Sequence, residues 1–299
     1  MNEKLVSLLK PVPESFLEKI GPIEDSDYVL FAAPLDKTAS YRSGSRFAPQ
    51  AIRQASQFME SYSIRTGFDW ENLFLMDAGD VLGMENVDCA ISNIQSVTNE
   101  IAKLGKTPVM LGGEHTTSLG AIRALKPQLL IVFDAHLDLR DELFDEKICH
   151  ATYLRRAHEE LGFKLVVVAA RSLSREEIDY AKSQGVIIIT ALDIKRKGAE
   201  NAIHIILKIL ESVESAYLSI DMDAIDPAEA PAVGNPCPEG ITVTQLLDVI
   251  NGIMSPKFIG IDINEVSPYY DSGNTAIQAG YILLETLYSR DKALTRSPS

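Results

Sequence analysis

Cysteine is scarce in this chain, and the three residues present, Cys89, Cys149 and Cys237, lie far apart. Their number is odd, and their spacing fits neither a disulfide framework nor a zinc-finger motif, so a reducing cytosol is expected. Positive charge is also short: 28 basic residues stand against 42 acidic ones, for a net charge of −14. That balance argues against a nucleic-acid footprint, which needs a basic patch. It suits a small cationic ligand, although surface acidity also serves solubility. Long apolar runs are missing. No stretch approaches the ~20 residues of a membrane span, and Met1 to Lys10 lacks the apolar segment of a secretory leader. Repeats, low-complexity tracts and linkers are absent too, so the 299 residues are read as one domain, with about 291–299 as a frayed tail.

What the chain does have is an ample hydrophobic fraction, 46%, arranged as alternating apolar runs and helical patterns. Strands are expected at 28–33, 73–76, 108–111, 128–133, 164–169, 186–190, 216–220 and 258–263. Helices are expected at 47–60, 87–104, 117–125, 151–161, 174–184, 199–213, 242–254 and 275–289. Within the second helix, Ala90, Ile91, Ile94, Val97, Ile101 and Leu104 recur at three- and four-residue intervals. The strands are apolar without alternation, as in a parallel sheet covered on both faces. Eight such strands can close a barrel or form an open three-layer sandwich.

Three of these strands end in chemistry. Ala216 to Ile220 stops at Asp221-Met222-Asp223-Ala224-Ile225-Asp226-Pro227. Ile131-Val132-Phe133 leads into Asp134-Ala135-His136-Leu137-Asp138, and Val109-Met110-Leu111 into Gly112-Gly113-Glu114-His115. Carboxyl ends of parallel strands form the mouth where α/β proteins bind ligands. Alternation turns Asp221 and Asp223 one way, and likewise Asp134, His136 and Asp138. Adjacent carboxylates repel unless a cation lies between them, so a metal site is expected. The Arg42–Arg53 loop admits a phosphate-binding reading. With no Gly-rich fingerprint it reads better as a structural loop whose arginine packs against the sheet edge.

These segments resemble the signatures of the ureohydrolases, the arginase/agmatinase superfamily, and are most like those of agmatinase. The Arg42–Arg53 loop, Asp77-Ala78-Gly79-Asp80 and Asp262-Ile263-Asn264-Glu265-Val266-Ser267-Pro268 extend the resemblance over about residues 25–290. Glu114 departs from it, since many members carry Asp there, and Pro238-Glu239 replaces a more Gly-rich turn. The resemblance implies a three-layer α/β/α sandwich on a parallel, mostly eight-stranded sheet, and two Mn²⁺ ions per subunit. One ion would take His115, Asp134, Asp138 and Asp221; the other would take His136, Asp134, Asp221 and Asp223. Two imidazoles and four carboxylates with no thiolate suit a fairly hard ion, with nickel or another divalent ion as alternatives. A homo-oligomer, trimeric or hexameric, is also implied.

The chemistry expected of such a site is attack by a metal-bridging hydroxide on the central carbon of a guanidinium group. Asp138 would orient the hydroxide, His150 would carry the proton to the leaving amine, and Glu265 would pair with the guanidinium. His158 and His204 are read as structural or exposed. Four ligand aspartates balance two divalent ions, so Glu265 and the hydroxide would leave the pocket negative and favour a cationic substrate. The 139–149 loop carries Asp141, Glu142, Asp145 and Glu146, which would repel a carboxylate and accept an extended amine. That points to agmatine, giving putrescine and urea, with aminopropylagmatine suiting the same rim. Arg140 and Lys147 are the counterweight, keeping arginine or a guanidino acid as alternatives. A histone-deacetylase-like reading lacks its His-His pair, and a non-catalytic homologue would have lost one of these residues, none of which is missing.

Overall fold

The computed structural model describes residues 3–296. Its strands are β1 (Leu9–Lys10), β2 (Tyr28–Ala33), β3 (Leu75–Val81), β4 (Thr107–Gly112), β5 (Leu129–Phe133), β6 (Lys164–Ala170), β7 (Ile187–Thr190), β8 (Ala216–Asp221) and β9 (Phe258–Asn264). Across the sheet they run β1-β3-β2-β4-β9-β8-β5-β6-β7. Every pairing is parallel except that of β1 with β3. The helices are α1 (Glu3–Leu8), α2 (Ala48–Ser56), α3 (Val87–Lys103), α4 (Ser118–Leu125), α5 (Tyr153–Leu161), α6 (Arg175–Gln184), α7 (Ala191–Lys197), α8 (Ala199–Leu210), α9 (Val243–Ile253) and α10 (Asn274–Arg296).

The helices cover both faces, which is why the strands are apolar throughout. In β5, Leu129, Ile131 and Phe133 enter one core, with Ile52 of α2, Ile206 of α8, Leu247 of α9 and Leu283 of α10. Leu130 and Val132 enter the other, with Ile94 of α3, Leu119 of α4 and Leu154 of α5. The expected three-layer sandwich is therefore observed. Ile131 is fully buried, and truncating it to alanine would cost roughly 2–5 kcal/mol.

Several expectations are corrected. The sheet has a ninth strand: β1 pairs antiparallel with β3, Leu9 opposite Val81 and Lys10 opposite Asp80. Two residues carry no periodicity, so pairing rather than pattern makes them a strand. The strand expected at 73–76 begins at Leu75 and runs on to Val81, taking the Asp77–Asp80 segment into the sheet. Gly79 permits this at φ 96°, where a Cβ would lie 2.2 Å from the Lys10 carbonyl oxygen. Helix α7 was not expected; Thr190 accepts from the Asp193 amide while the Asp193 carboxylate accepts from Thr190 N, a capping box that starts a short helix. Of the tail expected at about 291–299, residues 291–296 continue α10, and 297–299 lie outside the described residues. Arg290 donates to the Phe258 carbonyl, and the Tyr28 hydroxyl donates to Asp291 at 2.5 Å.

The Arg42–Arg53 segment is structural at its far end. Arg53 is buried, with Nε and Nη2 donating to Asp77 at 2.7 and 2.9 Å and Nη1 to Asp80 at 2.6 Å. Its charge is consumed by β3 and is not offered to a phosphate. Register then sets the site: Leu111 lies beside Ile263, Ile263 beside Ile220, and Ile220 beside Phe133. The polar residues that follow these four neighbours emerge together at one end of the sheet.

Candidate metal centre and active-site cavity

Beyond those strand ends, His115, Asp134 and Asp221 form one buried group of potential ligands, and Asp134, His136 and Asp223 a second. Asp134 belongs to both. His115 Nδ1 lies 3.2 Å from Asp134 Oδ2, 3.2 Å from Asp221 Oδ2 and 3.6 Å from Asp138 Oδ2. His136 Nδ1 lies 3.1 Å from Asp223 Oδ2 and 3.4 Å from Asp134 Oδ1. The backbone aims these groups. His136 N donates to Asp134 Oδ1, Asp223 N to Asp221 Oδ1 and Ala135 N to Asp223 Oδ1, which leaves each Oδ2 to converge on the centre.

The imidazoles are aimed as well. Ser219 Oγ donates to Asp262 at 2.5 Å, so its contact with His115 Nε2 at 2.8 Å makes Nε2–H the donor. The Tyr153 hydroxyl lies 2.9 Å from the same nitrogen. His115 Nδ1 is thus the nitrogen turned to the aspartates, and it and Asp134 Oδ2 are buried without a hydrogen-bond partner. Orphaned polar atoms are costly in a protein interior. Here they face one another across a space ringed by acids, an arrangement that fits a pair of divalent cations.

Electrostatics leads to the same demand. Burial opposes charge on His115, yet the adjoining Asp134 and Asp221 raise its imidazole well above the ordinary range. Burial, followed by the charge of Asp134, pushes Asp138 well up, and burial with Asp223 does the same to Asp221. The site holds more carboxylates than it can keep ionised without added positive charge.

His150 and Glu265 face the cavity that opens over this centre. Glu265 accepts from the His115 amide at 2.7 Å, and burial raises its carboxyl to about 8. His150 stands between Thr38 and Ser40, with Nδ1 3.1 Å from Thr38 Oγ1 and Nε2 3.1 Å from Ser40 Oγ. Asp138 and Glu265 adopt left-handed backbone at φ 50° and 67°. Non-glycine residues pay for that conformation, which persists where the surroundings over-determine it. Gly113, just past β4, lets the chain pass close to the loop after β2, since a Cβ there would lie 2.0 Å from the Leu35 carbonyl oxygen.

All six ligand candidates and both proposed reacting groups therefore come together. His158 pairs with the Tyr180 hydroxyl and lines a different depression, while His204 is exposed, as expected of both. The acidic rim is corrected. Asp141, Glu142, Asp145 and Glu146 do not line the cavity, and Asp141 is held outward by Arg156 at 2.6 Å and Arg155 at 3.5 Å. The loop presents Arg140, Leu143 and Phe144 instead, and Lys147 points elsewhere. Arg42 also lines the mouth, its guanidinium 4.8 Å from the Tyr270 ring and 5.3 Å from the Tyr41 ring. Neither Arg42 nor Arg140 is paired with a carboxylate among the described residues.

Sequence reasoning gave no role to Tyr153, Ser219, Asp262, Asn235 or Arg171. Asn235 Nδ2 lies 3.2 Å from His136 Nε2. Arg171 donates to the carbonyls of Asp223, Ala224, Ile225, Cys237 and Pro238, tying the Asp223 segment to the 237–238 turn. Ser219 and Asp262 stand within the strand-end segments that carry the ligands and Glu265, so their alternation with those residues was an available signal. Arg171 follows an apolar strand with nothing to mark it.

The profile of the arginase family matches residues 26–288. An agmatinase of Pyrococcus horikoshii is 34% identical over 264 residues, covering 87% of this chain and 91% of that protein. A guanidinobutyrase of Pseudomonas aeruginosa is 36% identical over 275 residues, covering 87% and 85%. The crystal structure of agmatine ureohydrolase of Thermoplasma volcanium superposes with a TM-score of 0.89 at 37% identity, covering 99% of this chain and all of that one. Site geometry, fold and sequence thus converge: this chain belongs to the arginase family.

Proposed function

We propose that the protein hydrolyses agmatine to urea and putrescine. In this reading His115, Asp134, Asp138 and Asp221 hold one divalent ion, and His136, Asp134, Asp221 and Asp223 hold the other. Manganese is the ion proposed, because the donors are imidazoles and carboxylates without a thiolate. A bound divalent pair supplies Lewis acidity and lowers the pKa of water toward neutrality. The chain's own groups do the rest. Glu265 pairs with the guanidinium and fixes its plane. Asp138 accepts a hydrogen bond from the attacking water and orients it. His150 delivers a proton to the amine as the C–N bond breaks.

The observation that carries this reading is the meeting of two ligand groups through Asp134, beneath a cavity also lined by His150 and Glu265. The likeness to the Pyrococcus agmatinase and to the Thermoplasma agmatine ureohydrolase supports the substrate. Urea release from agmatine, arginine and 4-guanidinobutyrate, measured side by side on Mn²⁺-loaded protein, tests it. Agmatine turned over with a kcat/KM well above the other two is the expected result; release from none of them would sink the reading.

A second reading rests on the mouth. Arg140 and Arg42 give the outer cavity positive charge, and the one outer carboxylate, Glu177, is taken up by Leu139 N and by Ser174. An inner acidic wall under a basic mouth matches an ω-guanidino acid, and the Pseudomonas relative bears such a name. Preference for 4-guanidinobutyrate in the same assay would select it. We further propose a homo-oligomer, trimeric or hexameric, in the cytoplasm. Exposed Phe58 and Ile277 share one shallow depression, and the three cysteines are free. Light scattering that gave a monomer would remove the first of these.

A further inference from the structure

The Glu114 side chain is buried and makes four hydrogen bonds. Its Oε2 accepts from Lys37 N at 2.6 Å and Thr38 N at 2.7 Å. Its Oε1 accepts from Thr38 Oγ1 and Thr116 Oγ1, both at 2.8 Å. Two of these donors are backbone amides, which cannot reverse. Taken as an ionised carboxylate, Glu114 has no proton to give and accepts in all four contacts.

That count propagates. A threonine hydroxyl has one proton, and Thr38 gives it to Glu114. Thr38 Oγ1 then only accepts, and it does so from His150 N at 3.0 Å. His150 Nδ1, 3.1 Å from the same oxygen, must supply the proton of that contact. Nε2 is left as a lone pair toward the cavity, within 3.1 Å of Ser40 Oγ, which donates to it. The tautomer follows from parity along the chain Glu114–Thr38–His150.

We propose that Glu114 and Thr38 are positioning residues that fix the His150 proton on Nδ1 and make Nε2 the atom that carries the catalytic proton. This rests on the guanidino-hydrolase reading. In the reaction, Nε2 takes a proton derived from the attacking water, whose oxygen becomes the carbonyl oxygen of urea. When the C–N bond breaks its electron pair stays on the amine nitrogen, which takes the proton from Nε2. The ring returns to its neutral Nδ1–H form, and Thr38 accepts from Nδ1 throughout.

Neutron diffraction from the deuterium-exchanged, metal-loaded enzyme at neutral pD reads the tautomer without any assay. A deuteron on Nδ1 and none on Nε2 supports the proposal; a deuteron on Nε2, alone or as a second one, overturns it. Glu114→Gln gives a sharper test. The Gln oxygen must face the two fixed amides, so its NH₂ faces the hydroxyls, Thr38 turns its own proton to Nδ1, and the ring proton moves to Nε2. In kinetics, Thr38→Val should lower kcat roughly 10- to 100-fold with KM little changed, below the full contribution of a general acid. Thr38→Ser, which keeps the hydroxyl, should recover most of it. Equal losses in both variants would overturn the positioning role. Should wild-type enzyme turn over no guanidino compound, the neutron result still decides the tautomer, so the two failures are distinguishable.

Discussion

The inner wall of the cavity and its mouth are built by different means. The inner wall consists of buried and half-buried residues at the ends of β4, β5, β8 and β9, aimed by backbone amides and backed by Ser219, Tyr153 and Asp262. The mouth consists of loop residues, Arg42, Arg140, Phe144 and Asn235, of which Phe144 is 76% exposed. A strand end inherits its direction from a register shared with its neighbours; a loop side chain has no such inheritance. The wall is therefore the place where changes abolish chemistry, and the mouth the place where changes redirect it.

The largest expected effect lies at the point shared by the two ligand groups. Asp134→Asn should lower turnover roughly 10³-fold or more, since metal chemistry supplies several kcal/mol. Bound metal, measured by elemental analysis after dialysis, should fall below that of the wild type; two full equivalents retained would mean that Asp134 is not the shared ligand. Glu265→Gln should cost about 10- to 100-fold in kcat/KM, the worth of one hydrogen bond to a charged group. Its metal content should be unchanged, which separates a substrate contact from a ligand.

At the mouth the comparison sharpens into specificity. Arg140→Ala should change kcat/KM for agmatine by less than about threefold, because surface substitutions away from buried contacts move little. The same change should lower any rate on 4-guanidinobutyrate about tenfold, the loss of one charge-assisted pair at 1.4 kcal/mol per decade. Equal effects on both substrates would mean that Arg140 does not read the carboxylate. The smallest effect belongs to neither region. Thr190→Ala removes half of the α7 capping box and should cost ~1 kcal/mol in chemical denaturation, with turnover unchanged.

The same division governs what could be read from the sequence. Asp134, His136 and Asp138 were legible because a strand alternates its side chains, and the apolar run before them announces a strand. His150 and Glu265 needed the family resemblance, since one histidine or one glutamate in a loop carries no spacing. The 139–149 loop was misread because its acids were counted without a direction. Arg155 and Arg156, on α5, turn Asp141 away, and that pairing joins segments whose approach no local pattern encodes. The strand β1 and the helix α7 were missed for a related reason, one being defined by its partner and the other by its cap. The extent of α10 was hidden because its last turns are polar, and only their contacts with β2 and β9 reveal that they are packed.

The place of β9 in the sheet has a consequence for how the molecule is made. It is the last of the described strands, yet it lies in the middle, between β4 and β8. Without β9 the sheet falls into two halves, β1-β3-β2-β4 and β8-β5-β6-β7, each with an open edge where β9 would pair. Open edges of apolar strands invite pairing with other chains, so the protein is most exposed to aggregation while β9 is out of the sheet. Insertion of β9 closes both edges at once and brings Glu265 over the candidate ligands carried by the two halves. Completion of the sheet and completion of the candidate site are thus one event.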